Sequence, residues 1–402
     1  MSRTVKLSEL AAEGSLIYGD GYRTKKAEHG KPGLPILRVA EVHDGRIRPE
    51  LKDFVSDRYR TTMGNKVSQP NDVVLTTKGT VGRVTIMPIT GDSFVYSPQL
   101  CFFRLPKEAP LSPRYLSYWF KSSEFWSQAR SRKSQTDMAD YLNLADIGSL
   151  RITFPGRAEQ AKIVSVLGAL DEKIAVNDRI AATSSVLAQT IFDASQLEID
   201  VRIGDVADVL DGPHATPQKT TEGPWFLSIS SLKAGMLDLD ESAHMTEEEF
   251  PRWTRRVQPR EGDVLFSYET RLGDAALMLP GIRASLGRRM AVLRPRKPNV
   301  SGALLLHSYL SSRFNQEIRE RAIHGATVDR IPLTELPSWK LPLPPMYQWG
   351  KYSEALNGIH RRAAASLIEN RTLSDLRDTL LPELMSGRLR IRDVEKVVED
   401  AV

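Results

Sequence analysis

Residues 73–84, VVLTTKGTVGRV, set two glycines, two consecutive threonines and a lysine in one short turn, the ingredients of a phosphate cradle. An ATP-binding P-loop needs two glycines five residues apart, then Lys and Ser or Thr opening a helix. Here Lys78 precedes the first glycine and apolar alternation follows the second, so no nucleotide cradle of that kind is expected. Asp44, Glu50 and Lys52 echo the carboxylate–lysine metal site of restriction nucleases, but the pattern is short. The matching stretch after Gly235, MLDLDESAH, lacks it. No Asn/Asp-Pro-Pro-aromatic tetrapeptide of an amino-methyltransferase occurs; Pro344-Pro345 stands in LPLPPMYQW. The seven histidines (His29, His43, His214, His244, His307, His324, His360) form neither an i, i+4 pair nor HExxH, so no metal is expected. The one cysteine, Cys101 in LCFFRL, reads as a buried strand residue and allows no intrachain disulfide. The chemistry left is that of a protein that binds rather than catalyses, without a cofactor.

The elements that position these residues come from a chain of 402 residues, 41% hydrophobic and 26% charged, long enough for two or more domains. The net charge of +5 and pI of about 9.1 permit a polyanionic partner without demanding one. No apolar run approaches the ~18–20 residues of a membrane span, and MSRTVKLSEL has no signal core, so a cytoplasmic protein with no membrane partner is expected.

The chain repeats itself. VKLSEL (5–10) returns as VRIGDV (201–206), and PILRVAEVHDG (35–45) as WFLSISSLKAG (225–235). NDVVLTTKGTVG (71–82) returns as GDVLFSYETRLG (262–273), LCFFRLP as RMAVLRP, and RITFPGRAEQ (151–160) as KLPLPPMYQW (340–349). Asp72 and Asp263 are 191 apart, as are Gly82 and Gly273; Phe125 and Phe314 are 189 apart, as are Pro155 and Pro344. A near-constant offset with few identities describes two copies of one fold with different surfaces.

Each copy alternates short β-branched and aromatic runs with Gly, Pro, Asn and Asp turns, then carries one helical segment, PRYLSYWFKSSEFWSQARS or ALLLHSYLSSRFNQEIRE. A long helix follows in each copy. Its apolar seam runs Ile163, Leu167, Leu170, Ile174, Asn177, Ala181, Ser184, Ala188, Ile191 in the first, and Leu356, Ile359, Ala363, Ser366, Asn370, Leu373, Leu376, Leu380 in the second. Alternating steps of four and three are the coiled-coil period, with Asn177 a polar register-setter. At 1.5 Å per residue such helices span ~55 Å. The fold expected is α+β: two repeated mixed α/β domains joined by two long antiparallel coiled-coil helices, with pseudo-two-fold symmetry. The boundaries read as 1–155 (first domain), 156–198 (first helix), 199–343 (second domain), 344–390 (second helix) and 391–402 (tail).

With this duplicated order, the paired NDVVLTTKGTVGRV and GDVLFSYETRLGDA stretches and the block from Gln135 to Asn177 resemble the specificity subunit of type I restriction–modification systems. The family's Ala-Glu-Gln step and Leu-Asp-x-x-Ile-x-x-Asn helix match Ala158–Gln160 and Leu170, Asp171, Ile174, Asn177. The second copy departs from the pattern: PPMYQWGKY replaces the Ala-Glu-Gln step and HRRAAAS replaces DEKIAVN. The resemblance implies a non-catalytic subunit whose two target-recognition domains read a bipartite, asymmetric duplex DNA target while the helices set the gap. Two methyltransferase subunits, and restriction motor-nuclease subunits, would join it in phage defence. A rigid helix of ~55 Å suits half-sites about 34–36 Å apart. The alternative is a coiled-coil scaffold that binds proteins and does not read DNA.

On that reading, the DNA-binding candidates in the first domain are Thr76, Thr77, Lys78 and Thr80 in the turn and Gln99, an amide able to bond adenine bidentately. The basic stretch Arg130, Arg132, Lys133 and Gln135 joins them. The matching places in the second domain are Tyr268, Glu269, Arg271, Arg288, Arg289, His324 and Thr327. Tyr22, Arg23, His214, Lys219, Arg252, Arg255 and Arg256 lie in other loops and rank behind them.

Overall fold

The computed structural model describes residues 2–132, 134–135, 140–195, 199–325 and 328–389. It divides into two compact units, Met1–Glu172 with the chain from Leu373 onward, and Lys173–Thr372. Each unit contains one copy of the repeat together with parts of both long helices, Arg157–Asp193 and Trp349–Ser386.

In the first unit an antiparallel sheet runs in the order Ile17–Asp20, Leu100–Arg104, Val73–Thr76, Val84–Ile86. The second unit repeats it as Ala207–Asp211, Met290–Pro295, Val264–Ser267, Ala275–Leu277. The central strands VVLT and VLFS are buried at every residue, so both faces are covered and their sequences run apolar instead of alternating. A smaller three-stranded sheet in each unit includes one parallel pairing, Ile36–Leu37 with Val95–Tyr96 and Trp225–Leu227 with Ala284–Leu286. The entry strand of each copy pairs with the strand before the long helix, Arg3–Lys6 with Arg151–Phe154 and Ile199–Arg202 with Lys340–Leu343.

A buried ion pair recurs in each sheet. Arg104 donates twice to Asp72, Nε to Oδ1 at 2.8 Å and Nη2 to Oδ2 at 2.7 Å, and also to the Val67 carbonyl. Arg294 repeats this toward Asp263 at 2.9 and 2.7 Å and toward the Gln258 carbonyl. Asp72 is 0% and Asp263 2% exposed, so each carboxylate depends on its fork-shaped partner.

The helical segment before each long helix is two helices, not one: Pro113–Trp119 then Ser123–Arg132, and Gly302–Leu310 then Ser312–Arg321. The Ser122 and Ser311 hydroxyls accept from the Phe125 and Phe314 N–H groups and cap the start of the second helix.

The long helices start at Arg157 and Trp349, and their seams are buried at Ile163, Leu167, Leu170, Asn177, Ala181 and Ala188, and at Leu356, Ala363, Ser366, Asn370, Leu373 and Leu380. In the second unit His307 bonds both Gln189 and His360, while Asn370 bonds Asp178. Residue 189 therefore lies near 360 and 178 near 370, an antiparallel pair. Asn177 Nδ2 donates to Glu369 at 2.7 Å within that seam. In the first unit Asp171 accepts from Arg377 at 3.0 Å.

The departure at PPMYQW has a physical resolution. Buried Gln160 accepts from the Ser112 N–H at 2.9 Å and donates to the Pro110 and Pro155 carbonyls at 2.8 Å, tying the helix start to its domain. In the second copy two residues share that work. Trp349 Nε1 donates to the Pro344 carbonyl at 2.8 Å, and Ser353 accepts from the Ser301 N–H and donates to the Asn299 carbonyl, both at 3.0 Å.

Candidate nucleic-acid interface

The turn that follows strand Val73–Thr76 is held open by its own backbone. Thr76 N–H donates to the Arg83 carbonyl at 3.0 Å and Thr77 N–H to the Gln99 carbonyl at 2.9 Å. Leu142 N–H donates to the Thr77 carbonyl, which lays strand Asp140–Tyr141 beside Lys78. Thr76 and Thr77, expected at a DNA surface, are instead buried. Their hydroxyls are spent within the frame, Thr76 accepting from the Arg83 N–H and Thr77 donating to the Gln99 carbonyl. Lys78, Gly79 and Thr80 form the exposed tip.

A shallow depression of about 700 Å³ lies at this tip, lined by Arg38, His43, Lys78, Thr80, Arg83 and Gln99. Arg38, His43 and Arg83 escape a reading of the turn alone. The hairpin Val42–His43/Arg46–Ile47 carries His43 there. Gly45 N–H donates to the Val84 carbonyl and Asp44 Oδ1 accepts from the Val84 N–H, both fastening the hairpin to the turn. Asp44 is thus committed to backbone and Lys52 pairs with Glu50 at 2.6 Å. Among the described residues no three His, Cys, Asp or Glu side chains gather as metal ligands. Burial, then the neighbouring Arg48, Arg83 and Arg46, hold the His43 pKa below its ordinary value. Four cationic or potentially cationic side chains with one amide make a site for a polyanion, its field strongest where water is partly excluded.

Arg130 reaches the same corner, stacking over Trp126 with 5.9 Å from its guanidinium carbon to the ring centroid. Trp126 in turn covers Gly82, where a Cβ would stand 2.3 Å from the ring and φ is +102°, so the close approach requires glycine. Arg132 turns instead to Ser149 Oγ at 2.9 Å and the Gln128 carbonyl at 3.0 Å. Lys133 lies outside the described residues; of Gln135 only the backbone is described, in a strand paired with Asp140–Tyr141.

The second unit rebuilds the frame with other side chains. Ser267 N–H donates to the Asp274 carbonyl, Tyr268 N–H to the Arg289 carbonyl, Ile331 N–H to the Tyr268 carbonyl and Gly235 N–H to the Ala275 carbonyl. Tyr268 is buried, its hydroxyl 3.5 Å from His214 Nδ1, and burial followed by the Asp211 and Glu269 charges pushes its pKa up to about 12. Around it, Arg289 Nε lies 3.1 Å from Glu269 and Arg271 Nε 2.7 Å from Asp274. Arg288 is exposed, and exposed His324 pairs with Asp329 at 3.1 Å. Asp211 collects His214 and Arg256, two residues ranked low in the sequence, at 2.8 and 3.4 Å. Thr327 lies outside the described residues.

Residues 4–183 match the model of the type I restriction modification DNA specificity domain. The chain is 21% identical over 411 residues to a protein named as the MjaX type I restriction enzyme specificity subunit of Methanocaldococcus jannaschii, covering 92% of this chain and 90% of that one. Among solved structures it is similar to a type I restriction–modification system S subunit from M. genitalium, with a TM-score of 0.54, 14% identity and 96% of each chain covered.

Proposed function

We propose, from the match of residues 4–183 to the type I restriction modification DNA specificity domain, that the two copies in this chain read the two halves of a bipartite, asymmetric duplex DNA target. The division into recognition domains 1–155 and 199–343, spacer helices 156–198 and 344–390 and tail 391–402 belongs to this reading. The chain acts in the cytoplasm as a recognition subunit without catalysis of its own, and recruits two methyltransferase subunits and restriction motor-nuclease subunits. One observation carries the proposal: the same backbone frame is built twice, with a basic tip in one unit and a mixed-charge tip in the other. A reader of two unlike half-sites needs such a constant frame and variable tip. In the second unit Val176, Val186, Leu187 and Ile368 expose apolar surface on the long helices, which suits the docking of protein subunits.

Selection from random duplex DNA, with the methyltransferase present, is expected to enrich a split motif. Lys78→Ala is expected to weaken binding to all sequences by a similar factor and to lower the log–log salt slope by about 0.9, the loss of one phosphate contact. Binding with no enrichment and no salt dependence would leave the protein-binding scaffold as the function.

A further inference from the structure

We propose that Glu269 and Arg289 act together as the reader of a single G·C pair, held ready by Thr270. This deepens the DNA-reading proposal and rests on it. The two residues stand where Lys78 and Gln99 stand in the first unit, because the Tyr268 N–H bond to the Arg289 carbonyl repeats the Thr77 N–H bond to the Gln99 carbonyl. The depression at the first unit's tip is lined by cations and an amide, a pattern that suits phosphate. In the second unit Arg289 has Glu269 beside it and Arg271 has Asp274, while Arg288 stands exposed. In the first unit Arg38 is paired with Asp53, but among the described residues no carboxylate stands beside Lys78 at the tip. A carboxylate at a tip facing DNA repels phosphate, so it is useful only where the duplex offers a hydrogen-bond donor. In the major groove that donor is a base amino group, N4 of cytosine or N6 of adenine.

Arg289 decides between them. Guanine offers O6 and N7 together, the pattern a guanidinium fork meets best, and the cytosine N4 amino group lies on the same base pair. Two side chains already 3.1 Å apart span one pair, Arg289 donating to guanine and Glu269 accepting from cytosine. Arg289 Nε is buried beside Glu269 and makes no hydrogen bond there, so the two side chains are held as an ion pair rather than as a closed hydrogen-bonded fork.

The backbone supplies a second, independent observation. Thr270 holds φ at +70° and Arg289 at +75°, the left-handed region that non-glycine residues rarely occupy. The first unit has Gly79, at φ +80°, where the second has Thr270. A strained threonine in a glycine's place is kept for its side chain, and Thr270 Oγ1 accepts from Arg289 Nη1 at 3.0 Å. Thr270 is a positioning residue that aims the guanidinium before DNA arrives.

The test is selection from a random duplex library by the full chain with its methyltransferase partner. The wild-type motif is expected to hold a G·C pair at one position that Arg289→Gln or Glu269→Gln relaxes, with discrimination there falling roughly tenfold to a hundredfold and all other positions unchanged. Thr270→Gly, which suits the backbone, is expected to blur the same position and to leave the other positions of the motif unchanged. A wild-type motif that all three variants leave unchanged, or that weakens evenly at every position, overturns this inference and leaves the DNA-reading proposal standing. A wild-type chain that enriches no motif overturns both.

Discussion

Asp72→Ala is expected to destabilise the first unit by about 3–5 kcal/mol, the cost of leaving a buried partner charge uncompensated. Arg104 is only 12% exposed and loses both its short bonds to the carboxylate. Two further groups lose an acceptor with it, the Gln69 N–H at 2.8 Å and the Tyr96 hydroxyl at 2.8 Å. Asp263→Ala removes the equivalent pair from the second unit, where Arg294 is 23% exposed and Leu286 sits in the position of Tyr96. Water reaches Arg294 more easily and no hydroxyl is orphaned, so this variant is expected to cost less, about 2–3 kcal/mol. Urea denaturation of the full chain, followed by tryptophan fluorescence, measures both. A loss under about 1 kcal/mol at Asp72 would show that the pair does not pin the sheet, and equal losses would show that the Tyr96 hydroxyl and the exposure of Arg294 make no difference.

The second large effect is a loss of stability in mild acid that originates in a buried histidine pair of the second unit. His307 and His360 are 1% and 5% exposed, with their Nε2 atoms 2.8 Å apart. One protonation pattern satisfies the group: His307 Nδ1–H donates to Gln189 Oε1, and His360 Nε2–H donates to His307 Nε2. Both rings are then neutral. Burial lowers their pKa values to about 3 for His307, with the His360 charge a further cause, and to about 4 for His360. An unfolded histidine titrates near 6.5, so between these values the unfolded chain binds more protons than the folded one. The stabilisation is therefore complete above about pH 6.5 and declines as pH falls toward 4, by up to about 2 kcal/mol per histidine on reaching pH 5. In the first unit the same stations hold Tyr118 and Asp171, joined at 2.7 Å, so it lacks this titration. Thermal melts of wild type and His360→Gln from pH 7.5 to 5 test it: the variant is expected to show roughly half the wild-type slope. Identical slopes would mean that other groups set the acid sensitivity.

Much of the frame was legible in the sequence because it depends on spacing. The 189–191 offset paired the turns and strands of the two copies, and the four-three seam marked Ile163, Leu167, Asn177, Leu356 and Asn370 as inward. The second long helix starts at Trp349, five residues after the expected 344, because Met346–Gln348 forms a separate 3-10 turn. The tips were harder to read. Thr76 and Thr77 belong to a strand covered on both faces, so no alternation distinguishes an outward hydroxyl from one consumed by the frame. Arg38 and His43 lie more than thirty residues from Lys78 in sequence and join it through the Gly45–Val84 and Asp44–Val84 bonds, contacts that no local pattern announces. The histidine pair was hidden for the same reason, its members lying 53 residues apart on different helices.

The central claim is that each copy reads its own half of one DNA target. Methylome sequencing of a host carrying the chain and its methyltransferase tests it, comparing wild type with a chain whose residues 1–155 are exchanged for the corresponding domain of a type I specificity subunit that it resembles. The account predicts a split motif in which one half changes and the other half and its methylated base stay fixed. A motif in which both halves change together, or one with no gap, would contradict it.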